Sequence, residues 1–286
     1  MSFDIIQKDL KADFNYYANA QHSLNFGLNS IYYKLHPGSY EPASPESLVV
    51  PDIVSAEQAL ESALYFSDKY TINSNLSAEG GIRYSMYNYL GPKEVNIYAQ
   101  GLPKDQSNLV QTRYFGSGSF IKTYQGPEYR ASIRYALSPS FSIKAGYNSL
   151  QQFIHMLSNT TAIAPTDIWK LSDPNIKPQK GDQFSLGFYK NLKSNTIETS
   201  VEVYYKRLKN YLDYKPGATL VLNHSIETDV ISTKGKAYGV ELMVKKEAGK
   251  LNGWISYTYS RILLKMDDPS IGNFIINGPV SNNWLG

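Results

Sequence analysis

Histidine, cysteine and paired acids are the residue types most able to do chemistry, and here they are scattered. His22, His36, His155 and His224 lie far apart, and cysteine is absent. No His has another His at i, i+4, so a metal centre has no positive signal, and thiolate sites and thiol nucleophiles are ruled out. Glu57 and Glu61 share a face if their stretch is helical, whereas on a strand they read as solvated. Gly116-Ser117-Gly118-Ser119 is glycine-rich but lacks a following Lys-Ser/Thr, so it reads as a loop tip rather than a phosphate cradle. No Gly-x-Ser-x-Gly occurs. Nothing here nominates a catalytic residue, a cofactor or a metal ligand, and the expectation is a protein that is not an enzyme. The remaining candidates are aromatic rings in segments that read as loops. Tyr114, Phe115, Trp169 and Tyr214 are the expected ligand-binding residues, with Tyr211 and Trp284 as further rings. Such rings stack on sugars or chelates, or simply pack loops together.

The elements that carry these loops follow from composition and periodicity. The chain has 286 residues, 42% hydrophobic and 19% charged, with a net charge of +3. That excludes gross disorder. No run approaches the roughly 18 apolar residues of a membrane helix, which says nothing against a membrane β-barrel, whose strands alternate in polarity. No basic block supports a nucleic-acid partner. Tyrosine is abundant, at 24 against 11 Phe and 3 Trp; it favours strands and membrane interfaces.

Period-two alternation dominates. Tyr129, Ala131, Ile133, Tyr135 and Leu137 alternate with Arg130, Ser132, Arg134 and Ala136. Ile197, Thr199, Val201, Val203 and Tyr205 alternate with Glu198, Ser200 and Glu202; Tyr238, Val240, Leu242 and Val244 alternate with Gly239 and Glu241. The pattern marks half-buried strands, about ten in all, with spanning arms of about ten residues. A short loop helix near Ser47 is the one helical expectation, because Pro51 cuts anything longer.

Connections also alternate. Tight links at Ala18–His22, Tyr70–Asn75, Ser138–Ser140, Leu192–Asn195 and Glu247–Lys250 take turns with long ones at Leu35–Ser55, Leu90–Gly126, Met156–Lys180, Tyr211–Lys236 and everything after Lys265. An outer-membrane barrel has this asymmetry, with short periplasmic turns and long extracellular loops. A soluble β-sandwich or propeller also alternates, but its strands run shorter, about 5–6 residues. The expected fold is therefore all-β: an antiparallel, up-and-down transmembrane β-barrel section. Its apolar side faces lipid, with Tyr135, Tyr147, Tyr189, Tyr205 and Tyr259 in aromatic girdles. Arg130, Arg134, Glu198, Glu202 and Glu241 face a wet lumen.

Three segments carry a family resemblance. Leu171-Ser-Asp-Pro-Asn-Ile-Lys-Pro178 followed by Gln183-Phe-Ser-Leu-Gly-Phe188 resembles a loop-to-strand signature, with Gln179 and Ser185 where Glu is usual. Gly235-Lys-Ala-Tyr-Gly-Val-Glu-Leu242 and Leu251-Asn-Gly-Trp-Ile-Ser-Tyr-Thr-Tyr-Ser260 follow in the family's order. Together they are similar to the barrel of a TonB-dependent outer-membrane receptor of a Gram-negative bacterium. The resemblance implies a barrel of about 22 strands with an N-terminal plug. Residues 1–286 are then expected to be part of a single barrel domain, without the plug or the terminal strands and with both ends extracellular. It also implies an outer-membrane receptor that takes up a large nutrient (an iron chelate, a cobalamin or a glycan). Its partners would be outer-membrane lipid, the nutrient, the TonB energy-coupling complex through the plug, and a companion surface lipoprotein. The competing function is a non-transporting surface β protein, an adhesin or carbohydrate-binding module.

Overall fold

The structure, a computed structural model, describes residues 2–158, 167–193, 195–268 and 272–278, with residue 2 and those from 267 on described by their backbone alone. Its strands, in order, are β1 (Ser2–Tyr17), β2 (His22–Tyr40), β3 (Asp52–Ile53), β4 (Glu57–Thr71), β5 (Leu76–Leu90), β6 (Lys93–Tyr98), β7 (Leu109–Phe115), β8 (Phe120–Ser138), β9 (Phe141–Gln152), β10 (Ile154–Leu157), β11 (Ile168–Leu171), β12 (Gln179–Leu192), β13 (Ile197–Tyr214), β14 (Val230–Lys246), β15 (Gly253–Asp268) and β16 (Gly272–Gly278). Among the described residues a short α-helix, α1 (Ile226–Asp229), precedes β14, and a 3-10 turn (Gln106–Asn108) precedes β7.

A twelve-stranded sheet carries the fold, in the order β1-β2-β4-β5-β8-β9-β12-β13-β14-β15-β16, with β3 paired to β2. Every long strand lies beside its successor and runs antiparallel to it, the up-and-down order that alternating short and long links impose. The β6–β7 and β10–β11 hairpins stand off this sheet on the long-loop side.

Register assigns the two faces. Phe14, Phe26, Phe66, Ile82 and Tyr129 stand opposite one another in one cross-strand row. Ile133, Ala145, Leu186, Val203, Val240 and Tyr259 form a second row. The large side chains of both rows are 37–55% exposed. A continuous exposed apolar surface of this size is a liability in water, and in acyl chains it is the buried surface. From Ile197 to Tyr205 the apolar stretch of β13 spans about 27 Å of strand at about 3.4 Å per residue. Tilted, that matches the order of a lipid-facing band of about 25 Å.

The long strands run 12–19 residues, well past the arms of about ten that lipid requires. The excess lies at the long-loop ends, where the outward positions turn polar and the alternation of apolar and polar fades. Several expectations are corrected here. Residues 41–51 form no helix; Ser47 N–H closes a turn on Ser44 C=O at 3.1 Å, and Glu57–Leu64 opens a strand. The stretch after Lys265 holds the end of β15 and all of β16, which pairs back on β15. Tyr189 stands on the polar face, opposite Ser142 and Ser200, while Tyr135, Tyr147, Tyr205 and Tyr259 stand on the apolar one. Trp284 lies outside the described residues.

Two buried clusters sit at the long-loop end. One joins Tyr33, Leu35, Ala59, Tyr87, Tyr89, Phe153 and Leu171, the other Leu157, Ile168, Ile176, Ile226 and Val230. Both mix wall residues with loop residues, so the loops after β9 and β13 fold onto the polar face and form a cap. Each Leu buried this way stabilises by about 1.5–3 kcal/mol.

Candidate functional site

The cap is organised by the segment Lys170–Ile176. Lys170 is 3% exposed, and its Nζ donates to Glu57 Oε1 at 2.6 Å and Asp173 Oδ2 at 2.5 Å. Glu57 Oε2 accepts the Leu171 N–H at 3.0 Å, so both its oxygens are engaged. Asp173 is used twice as well: Oδ1 accepts from the N–H groups of Asn175 (2.7 Å) and Ile176 (2.8 Å). This Asx turn across Pro174 reverses the chain before β12. Burial by itself pushes the Lys170 ammonium down, but the Asp173 and Glu57 carboxylates outweigh it and hold its pKa above the ordinary lysine value. Lys93, the second ammonium here, lies 3.9 Å from Glu57 and is pushed down, chiefly by burial.

Tyrosines of the wall hold the same turn. Tyr87 donates to Ser172 C=O and Tyr124 to Asp173 C=O, both at 2.8 Å. The Tyr87 ring stacks on Phe153 with centroids 4.7 Å apart. The Lys170 ammonium lies 5.6 Å from the centroid of Tyr89. His155, beside Ser172 Oγ at 2.9 Å, has its pKa pushed down to about 4 by burial and by the Lys170 charge.

Other loops lock onto this turn. Asn175 donates to Asn96 C=O at 2.9 Å, and Lys104 donates to Asn175 C=O. Asn96 and Tyr98 both donate to Glu227 Oε1 at 3.0 Å. His224 pairs with Asp52 at 2.7 Å. Between them remains a cavity of about 60 Å³, bordered by Glu57, Lys93, Trp169, Lys170, His224 and Glu227. It has room for water-sized occupants, far below the roughly 300 Å³ at which ligand pockets begin.

The expected ligand-binding rings are spread apart. Tyr114 is 66% exposed on β7. Phe115 follows it and carries the Arg113 guanidinium 4.9 Å from its centroid. Trp169 packs against the first buried cluster and Tyr214, with Leu212, against the second. Glu57, read from sequence as wet, is instead the buried anion of the cap, and Glu61 stands near Arg83 at 3.7 Å. Glu57 carries no sequence signal, because its partner is 113 residues away. The Asp173-Pro174-Asn175 turn, inside the family-like segment, does carry one.

The five charged wall residues share the polar face. Arg130 reaches Ser67 Oγ at 3.1 Å over Gly81, where a Cβ would come within 3.2 Å of its chain. Arg134 stands opposite Lys144, Lys144 opposite Gly187, Gly187 opposite Glu202, and Glu202 opposite Glu241. The row is cationic on β8–β9 and anionic on β13–β14. At its middle Gly187 leaves space for the Tyr189 ring, whose hydroxyl would sit 2.7 Å from an added Cβ and which bonds Glu202. Glu198 stands opposite Lys245.

Comparison with known proteins fits this geometry. A family model described as TonB dependent receptor-like, beta-barrel, matches residues 2–284. No curated protein sequence matches the chain. Solved structures of similar fold include the FrpB iron transporter of Neisseria meningitidis (F5-1 variant, apoprotein), 13% identical at a TM-score of 0.62, covering 93% of this chain and 38% of that one. The copper transporter OprC is 11% identical at 0.57, covering 93% of this chain and 42% of that one. The closed form of the ferric-catecholate import receptor Fiu of E. coli K12 is 16% identical at 0.53, covering 92% and 38%. The chain thus spans less than half the length of these solved proteins. A wall with its apolar face outward, a loop cap on its polar face and a family match over nearly all of its length place it in one group: the chain belongs to the TonB-dependent receptor family, as a section of outer-membrane β-barrel.

Proposed function

We propose that this chain supplies wall and extracellular loops of a receptor that imports a large nutrient complex across the outer membrane, driven through a plug by the TonB energy-coupling complex. The observation that carries the reading is the polar face. It holds charged rows from Arg130 and Arg134 to Glu202 and Glu241, and the cap is folded over its long-loop end. In this reading Arg130, Arg134, Glu198, Glu202 and Glu241 line the lumen and meet the plug, and Tyr114 is the ring placed to touch ligand. Trp169 and Tyr214 act by holding the cap. Proteins of like fold are named for iron, ferric catecholate and copper, which makes a metal complex the first cargo to test, ahead of cobalamin and glycans. No step of this transport requires covalent chemistry.

The test uses the complete receptor in cells. Uptake of labelled ferric chelate, copper, cobalamin and glycan is measured with and without the receptor and with and without a proton gradient. One cargo is expected to enter only when both are present. Equal uptake of all four without the receptor overturns the transport reading and favours a non-transporting surface protein. In the same receptor, cysteines at Glu202 and Glu241 should react with a water-soluble thiol reagent and those at Val203 and Leu242 should not.

A further inference from the structure

The hairpin β6–β7 forms a two-stranded sheet of its own. β6 lies against the cap: Val95 is buried, and Asn96 C=O accepts from Asn175 at 2.9 Å. β7 lies outside it. Gln111, Thr112 and Arg113 are exposed, and Val110 and Tyr114 are 65% and 66% exposed. Among the described residues β7 pairs with β6 alone, so its second edge presents backbone N–H and C=O groups to solvent. Such an edge accepts another strand unless Pro, charge (Lys above all) or a bulge blunts it. The sequence of β7, Leu-Val-Gln-Thr-Arg-Tyr-Phe, has no Pro, Gly or Lys. Its ladder is regular over Gln111–Phe115, and the extra residue, Val110, lies near its start. A hairpin of two strands is marginal by itself, and further strands stabilise it.

The order of residues says which strand fits that edge. Laid antiparallel against a second β7 about Thr112, the strand complements itself. Thr112 of one copy meets Thr112 of the other, and Gln111 meets Arg113. Toward the ends Val110 meets Tyr114. These are a β-branched pair, a polar pair without like charges and an aliphatic–aromatic pair, the combinations that stabilise neighbouring strands. Moving the centre to Arg113 would set two guanidinium groups face to face, which is unfavourable. In the copy at hand Thr112 Oγ1 donates to Asn96 Oδ1 at 2.8 Å and the Arg113 guanidinium lies 4.9 Å from the Phe115 centroid, so both side chains are already held in place.

We propose that β7 is a self-association strand: two copies of the receptor in one outer membrane pair there about a two-fold axis at Thr112, forming a four-stranded sheet β6-β7-β7-β6. The contact is isologous, with the same strand supplied by each copy. One strand from each side makes a small interface, of the transient class. Tyr114 stays on the open face of the joined sheet, so pairing leaves it available to cargo. The proposal goes beyond the transport reading and does not depend on which cargo is carried.

The test uses single cysteines in the complete receptor in whole cells. This chain has no cysteine, and any elsewhere in the receptor are replaced by serine. Directly opposed antiparallel positions have Cα atoms about 4.5–5.5 Å apart, within reach of a disulfide. Under mild oxidant Thr112→Cys should therefore link two receptors. Tyr114→Cys, whose counterpart lies about 13 Å away along the strand, should link at least tenfold less. With Thr112→Cys as the reporter, Gln111→Glu faces Arg113 of the other copy and should raise the initial linking rate roughly threefold. Gln111→Arg sets like charges opposite and should lower it by a similar factor. Comparable amounts of folded receptor in the membrane are confirmed for each variant. Equal linking at positions 112 and 114, no linking at all, or the two Gln111 variants moving the rate in the same direction overturns the proposal. So does a thiol from Thr112→Cys that neither links nor reacts with a soluble maleimide, which would mean that another loop of the same receptor covers β7.

Discussion

The wall and the cap bury their apolar residues in opposite directions. In the wall the large apolar side chains point out, with Leu64 at 66% and Phe14 at 55% exposed, and at the level of the lipid band Arg134, Lys144, Glu202 and Glu241 point in. In the cap Leu35 and Leu171 are fully buried, and the buried charges Glu57, Lys170 and Asp173 are paired with one another, with Lys93 close to Glu57. One chain thus obeys two solvents, and the boundary runs along the strands. The same β5 presents Ile82, Tyr84 and Met86 outward and Tyr87 and Tyr89 inward. The contrast explains why the strands overshoot the membrane. The part in lipid needs only alternation, and the part above it needs length to hold folded loops.

The largest way to break the comparison is to open the cap's ion cluster. Lys170→Met leaves two buried carboxylates without their shared cation and should cost about 3–5 kcal/mol. Faster amide exchange at 168–176 in the complete receptor measures it, and the double variant Glu57→Gln, Lys170→Met should regain part of the loss. Wall residues are tested by charge. Val203→Arg should cost about 2–4 kcal/mol in equilibrium folding into bilayers, and Glu241→Gln, on the opposite face, should change little. If the two are equal, the assignment of faces is wrong. Acid sharpens the distinction. His155 is neutral in the fold, with a pKa near 4 against about 6.5 unfolded. Its stabilising contribution is complete above pH 6.5 and is lost as pH falls toward 4, loosening the cap by roughly 2–3 kcal/mol. Exchange at 153–157 should follow that window, and His155→Gln should flatten it while the wall stays unmoved. The smallest effect is Tyr87→Phe, which removes one hydrogen bond to Ser172 C=O and should cost about 1 kcal/mol, again read from exchange in the cap.

The wall is legible in the amino-acid sequence, because alternation is a local signal. Ile133, Val201 and Leu242 each announce their face through neighbours one residue away, and tight turns such as Ser138–Ser140 fix which strands pair. The cap is not legible in this way. Glu57 meets Lys170 across 113 residues, and Trp169 reads the same whether it waits for a ligand or packs against Tyr87's cluster. Residue type alone puts Tyr189 in a girdle, although its position parity places it inside.

The sequence by itself determined the period, the order of short and long links, and therefore an antiparallel wall with one oily and one wet side. Tertiary structure decided which loops fold inward and which carboxylates become buried. It also brought the lysines of β12–β15, at sequence separations of 25 to 31 residues, into a single row. The reason is range: pleating repeats every two residues and can be read in place, whereas register and loop closure join residues whose proximity no local pattern encodes.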